Sequence, residues 1–175
     1  MKKHIHLYII FAILVIIFVV VITGCSDSSK PYKYFTLSIT PEQDSIVVNE
    51  TANYSVKVQD AINLYGIHLE VSFDSTNVEL PDEYLSVGDF WSDHYFLKET
   101  YNYPNKFSVV ISLIGEKDGI SGSGSLFEFN IKAIEQGICA LEIINNSYLY
   151  LVDKNGELIE EFDNITIQNA NLIIE

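Results

Sequence analysis

Side chains able to carry acid–base, metal or nucleophilic chemistry are few in this chain and poorly arranged for it. Of four histidines, His4 and His6 lie in an apolar leader, and neither His68 nor His94 is accompanied by a nucleophile motif. Carboxylates are plentiful, but Asp82-Glu83 and Glu160-Glu161 fall where the sequence reads as polar turns, so solvated charge explains them. A glycosidase pair needs a fixed separation across a cleft, which spacing along a sequence does not establish. Cys139 sits in Gly137-Ile-Cys-Ala-Leu-Glu-Ile143, an apolar strand-like run, and reads as a buried small hydrophobe rather than a nucleophile. Asp153-Lys-Asn-Gly-Glu157 opens like a calcium loop but lacks the later ligands, and Asn-Gly between apolar runs is a hairpin signal. The expectation is a protein with no catalytic residue, no metal and no cofactor of its own. Recognition chemistry remains. The rings of Trp91, Tyr101, Tyr103, Tyr148 and Tyr150 are candidates for stacking on sugars, and alternation places each tyrosine pair on one strand face.

The elements that must position these residues read as strands. Over 63–74 the apolar Tyr65, Ile67, Leu69, Val71 and Phe73 alternate with Gly66, His68, Glu70 and Ser72, a period of two that makes a strand with one wet face. A second run places Phe107, Val109, Ile111 and Leu113 inward and Ser108, Val110 and Ser112 outward. A third opposes Phe127, Phe129, Ile131 and Ala133 to Glu128, Asn130 and Lys132. Further short strands are expected at 35–40, 45–48, 53–59, 78–80, 94–103, 138–144, 147–152 and 165–174. The glycine-rich 115–125 reads as a loop, as does 82–93. Short strands separated by turn signals, with no helical period, indicate an all-β sandwich.

The formal net charge is −14, the basic residues are all lysine, and nucleic acid is excluded as a partner. Met1-Lys-Lys, an apolar run from Ile5 to Ile22 and Ile22-Thr-Gly-Cys25 resemble a bacterial lipoprotein signal. That resemblance implies cleavage before Cys25 and a lipid on it, giving a signal peptide at 1–24, a tether at 25–33 and one domain at 34–175. An uncleaved anchor helix is the alternative, and both place the domain outside the cytoplasmic membrane. The mature chain would carry eight lysines against 24 carboxylates, a charge of −16. The polar tether that follows the lipid, about eight residues, reaches roughly 28 Å when extended, which keeps the domain near the membrane.

Several motifs in order resemble a cohesin module. They are Asn63-Leu-Tyr-Gly66 leading into Val71-Ser-Phe-Asp74 and Val78-Glu-Leu80, then Gly88-Asp-Phe90. Gly119-Ile-Ser-Gly-Ser-Gly-Ser-Leu-Phe-Glu-Phe-Asn-Ile-Lys-Ala133, Gly137 before a strand, and Asp153-Lys-Asn-Gly156 complete the set. The resemblance spans residues 35–175 and implies a nine-stranded jelly-roll β-sandwich. It also implies a binding module that docks a dockerin-like protein, in polysaccharide degradation, with calcium carried by that partner. Type I cohesins bear an Asn-x-Asp pair where this chain has Gly66 and His68, a departure at the binding strand. The expected partner face is Gly66, His68, Glu70, Ser108, Val110 and Ser112. Direct polysaccharide binding through the aromatic residues is the alternative, and a structural lipoprotein that has lost its partner is a third reading.

Overall fold

A computed structural model describes residues 35–91, 96–115, 118–144, 148–152, 158–161 and 165–175, with the backbone alone over 96–99, 148–152 and 158–161. The leader, Cys25, the tether, His94 and the 153–157 turn lie outside the described residues.

The longest element determines the architecture. The expected strands at 53–59 and 63–74 are one continuous strand, β3 (Thr51–Ser72), bent in its middle. Its pairing with β8 (Ile120–Ala133) shifts register at Val56/Lys57, Val58/Ala61 and Ala61/Leu64, and Asp60 and Asn63 take positive φ angles of 60° and 53°. Asp and Asn tolerate this left-handed region better than other residues with a Cβ, and such bulges turn a strand sharply. The backbone N–H groups of Asp60 and Asn63 donate to Ser123 Oγ and Ser121 Oγ, each at 2.9 Å. The Gly/Ser stretch expected to be a loop is therefore strand from Ile120 onward, because its serines satisfy the bulged backbone of β3. Gly119 must be glycine: a Cβ there would lie 2.2 Å from the backbone of Asn63.

The bend lets β3 serve both layers of the sandwich. Its first half pairs with β1 (Phe35–Thr40) and β8, and β1 continues the layer to β12 (Ile165–Gln168) in parallel. The short strands β4 (Val78–Glu79) and β5 (Leu85–Val87) pair with β8 on its other side. Its second half pairs along one edge with β7 (Lys106–Leu113), which pairs in turn with β6 (Phe96–Tyr103). Along the other edge it meets β9 (Gly137–Ile143) and β10 (Tyr148–Val152). β10 forms a hairpin with β11 (Leu158–Glu161), and β9 continues to β13 (Ala170–Ile174) and β2 (Gln43–Ile46). The described residues thus form thirteen strands rather than nine, with one 3-10 turn at Asp89–Trp91 and no α-helix. Part of the difference lies at 165–174, where the expected single strand divides. β12 stays with β1, the chain crosses at Asn169, whose Oδ1 accepts the Ile143 N–H at 3.1 Å, and β13 joins the opposite layer.

Between the layers the expected inward residues of β7 and β8 meet as read. Phe107 lies with its ring centroid 5.1 Å from Phe129 and 6.3 Å from Phe127, Tyr84 packs edge-on to Phe107, and Tyr54 stacks on Phe129. Each such ring contributes about 1.5–3 kcal/mol by leaving water. Tyr54 is wholly buried and its hydroxyl has no hydrogen-bond partner among the described residues, so burial pushes that phenol well above its ordinary range.

Candidate functional site

Antiparallel register decides which outward positions are neighbours. Across β3 and β7 it pairs Gly66 with Ser112, His68 with Val110, Glu70 with Ser108 and Ser72 with Lys106. β6 adds Tyr101 beside Ser108 and Tyr103 beside Lys106. On the other edge, Tyr148 stands at the register position of His68 and Tyr150 at that of Gly66. The six residues expected to meet a partner protein and the four tyrosines considered for sugars therefore belong to one sheet face. Sequence periodicity gave each strand its sides, but only register brings those sides together.

The face is drier at its centre than alternation implied. Ser108 is 2 % exposed and Glu70 7 % exposed, although both were expected on an open, wet surface. Longer neighbours cap them. His68 Nε2 lies 2.9 Å from Ser108 Oγ, and Lys106 Nζ donates to Glu70 Oε2 at 3.0 Å while standing 5.1 Å from the centre of the Tyr103 ring. Lys106, which falls between the expected strand at 94–103 and the run that begins at Phe107, is thus part of the site. Its position two residues before Ser108, in the same alternation, was the signal for it. Gly66 is buried too, and a Cβ added there would sit 2.9 Å from the Ile111 carbonyl oxygen. An amide side chain at this position, as in type I cohesins, would require β7 to shift.

The margins are apolar or acidic. Tyr101 and Tyr103 are each 47 % exposed along β6. On the far side Ser72 pairs with Glu142, and the outward positions of β9 continue through Ala140 to Ile138, which is 68 % exposed. Ser72, Asp74, Asn105, Ile138, Ala140 and Glu142 line a groove of about 540 Å³ beside the face. Sequence reasoning did not single out this groove, because it depends on β9 lying next to β3.

Other candidate residues lie elsewhere. Trp91 is not a sugar platform: it is 0 % exposed, its Nε1–H donates to the Leu126 carbonyl at 2.9 Å, and a stacking ring must be open to its ligand. Leu126 is the extra residue of a β8 bulge, which is why its carbonyl can turn toward the indole. Cys139 is buried as expected. Burial pushes its thiol up, and its sulfur accepts the Asp74 N–H at 3.4 Å. Asp74 closes the strand by accepting the Thr76 N–H at 2.9 Å and its hydroxyl at 2.7 Å, and the backbone bond in particular holds its carboxyl below the usual range. Glu160 and Glu161 lie on β11 rather than in a turn. Among the described residues no cluster of three metal-ligating side chains occurs.

The arrangement is thus a bent strand shared by two mostly antiparallel layers, with a broad polar face on one of them. No family model matches the sequence. No curated protein matches it either. Solved structures do match. A non-cellulosomal cohesin from the hyperthermophilic archaeon Archaeoglobus fulgidus aligns over 82 % of this chain and 92 % of its own, at 19 % identity and a TM-score of 0.61. A type II cohesin domain from the cellulosome of Acetivibrio cellulolyticus aligns over 80 % of this chain and 95 % of its own, at 14 % identity and a TM-score of 0.65. A novel type I cohesin–dockerin complex from Clostridium thermocellum gives 81 % and 94 % coverage, 11 % identity and a TM-score of 0.62. The chain is a cohesin-like module in fold.

Proposed function

We propose that this chain is a binding module that docks a dockerin-like protein on the face formed by β6, β7, the second half of β3 and β10. It performs no chemistry of its own. The observation that carries the reading is the fold match to cohesins, some of them solved in complex with dockerins. The choice of face rests on its anatomy. Half-buried His68 and Lys106 stand over the buried Ser108 and Glu70, with Tyr101, Tyr103 and Ile138 exposed beside them, and exposed tyrosines are the residue type that most often anchors a protein interface. In this reading Cys25 carries the lipid, the module stands outside the cytoplasmic membrane, and capture holds a polysaccharide-degrading partner close to the cell. Calcium belongs to the partner.

The test is a titration of the full chain, held in detergent, with dockerin segments encoded in the same genome, in calcium and then in chelator. Tight binding in calcium, abolished by chelator and weakened at least 10-fold by Val110→Arg, which sets a charge in the middle of the face, is the expected result (about 1.4 kcal/mol or more). Binding that ignores Val110→Arg would place the partner elsewhere, and no binding to any dockerin would end the reading. Direct polysaccharide binding is the second reading, favoured by the exposure of Tyr101 and Tyr103 on one edge. Retention on insoluble polysaccharide that Tyr101→Ala/Tyr103→Ala removes would support it.

A further inference from the structure

The opposite layer carries a polar cleft of about 700 Å³ that the docking reading does not use. It lies on the outward side of β1, the first half of β3 and β8, where register sets Ser38 beside Lys57, Lys57 beside Ser125 and Ser55 beside Glu128. Such a volume falls in the range of small-molecule sites.

The wall is fixed by the fold. Asp89 Oδ1 accepts the Ser125 N–H at 2.7 Å, and the Ser55 and Ser125 hydroxyls lie 2.7 Å apart. Ser125 is nine-tenths buried. The Asp89–Trp91 turn approaches β8 so closely that a Cβ at Gly88 would lie 2.1 Å from the Ser125 carbonyl oxygen, and one at Gly124 would lie 3.2 Å from Asp89 Oδ1. Trp91, buried behind this turn and bonded to Leu126, anchors it. The cleft is therefore held open by backbone and core packing, which lowers the ordering cost of binding.

Its lining is dense in hydrogen-bonding groups, with Val58 and the stems of the longer side chains between them. Hydroxyls of Ser38, Ser55 and Ser125 face one ammonium, Lys57, and two carboxylates, Asp89 and Glu128. The side-chain ends of Lys57 and Glu128 have no partner among the described residues. An anion meets two carboxylates to one lysine here, on a chain of net charge −14, and is disfavoured. A flat apolar ligand finds no aromatic ring to stack on among the described residues that line the cleft. A ligand that presents several hydroxyls, neutral or bearing an amine, matches donors and acceptors alike.

We infer that this cleft is a binding site for a small neutral or amine-bearing saccharide, on the side of the sandwich away from the docking face. Both surfaces can then be occupied together.

Saturation-transfer NMR and calorimetry on the full chain in detergent test this, with cellobiose, diacetylchitobiose and glucosamine as probes and inorganic phosphate as the anionic control. The expected result is binding of at least one sugar and none of phosphate. Lys57→Met/Glu128→Gln, two exposed positions, should weaken sugar binding about 10-fold or more and leave dockerin titrations unchanged. Tyr101→Ala/Tyr103→Ala should leave sugar binding intact. Absence of transfer from all three sugars overturns the inference, as does binding lost with the tyrosines but kept in Lys57→Met/Glu128→Gln, or binding of phosphate alone. Because dockerin capture is read separately and on another face, either proposal can fail while the other stands.

Discussion

Replacing Lys106 by methionine tests whether the centre of the proposed docking face is a sheltered polar unit or an ordinary wet surface. The substitution keeps the stem over Tyr103 and removes the ammonium 3.0 Å from Glu70 Oε2. The Glu70 side chain is 9 % exposed, so its carboxylate loses a charged donor where little water reaches it, whereas Lys106 at 31 % still borders solvent. Breaking a fully buried pair costs about 3–5 kcal/mol and exposed pairs contribute about 0–1, so a half-sheltered pair should cost about 1–2 kcal/mol. For a domain near this size that corresponds to roughly 3–8 °C in Tm. The single tryptophan, buried at position 91, gives a fluorescence signal for unfolding. Urea titrations of wild type, Lys106→Met, Glu70→Gln and the double variant form a cycle. The double variant should recover at least half of the loss, since a neutral amide does not need the ammonium. If Lys106→Met unfolds at the wild-type midpoint, or if Glu70→Gln recovers nothing, the account of a sheltered ion pair under the face is wrong.

Gly66→Ala should destabilise by about 1–3 kcal/mol, because its Cβ meets the Ile111 carbonyl at 2.9 Å, and the urea midpoint should fall with little change in slope. Tyr54→Phe removes a buried hydroxyl that lacks a partner among the described residues, so stability at neutral pH should stay level or rise by up to about 1 kcal/mol. Burial raises the phenols of Tyr54 and Tyr84 in the folded state, so above about pH 10 the unfolded chain loses those protons first and wild-type stability declines. That alkaline decline should be shallower in Tyr54→Phe, and an unchanged pH profile would contradict the burial argument. In a Cys25→Ser background, Cys139 should resist a thiol reagent at neutral pH and react at once on unfolding, since burial both blocks access and raises its thiol. Rapid labelling of the native protein would show that β9 opens.

The extent to which sequence foretold this arrangement differs by element for physical reasons. Strands β7 and β8 were legible because period two holds along them and one side meets the core, so Phe107, Val109, Phe127 and Phe129 could be assigned from spacing. The motifs carried by the resemblance led to the same fold that the solved cohesins display. Strand β3 was read as two, because Asp60 and Asn63 look like a turn until Ser121 and Ser123, some sixty residues away, satisfy their backbone. Trp91 was misplaced for a similar reason: its burial depends on the bulge at Leu126, a feature of strand pairing rather than of local pattern. At the site, alternation correctly put His68, Glu70 and Ser108 on one side of their strands. Their burial, the inclusion of Lys106 and the meeting of both candidate groups on one face depend on which strands lie adjacent, and no single strand contains that information.

The first strand is gripped on both edges, running antiparallel to β3 and parallel to β12 over most of its length. A tension applied ahead of Phe35 along the strand axis therefore loads both ladders in shear, and their hydrogen bonds must yield together rather than peel one at a time. A module fixed to a surface by its leading end and pulled through a cargo on its face would resist that drag by geometry. Its mechanical strength would then exceed what its equilibrium stability alone suggests.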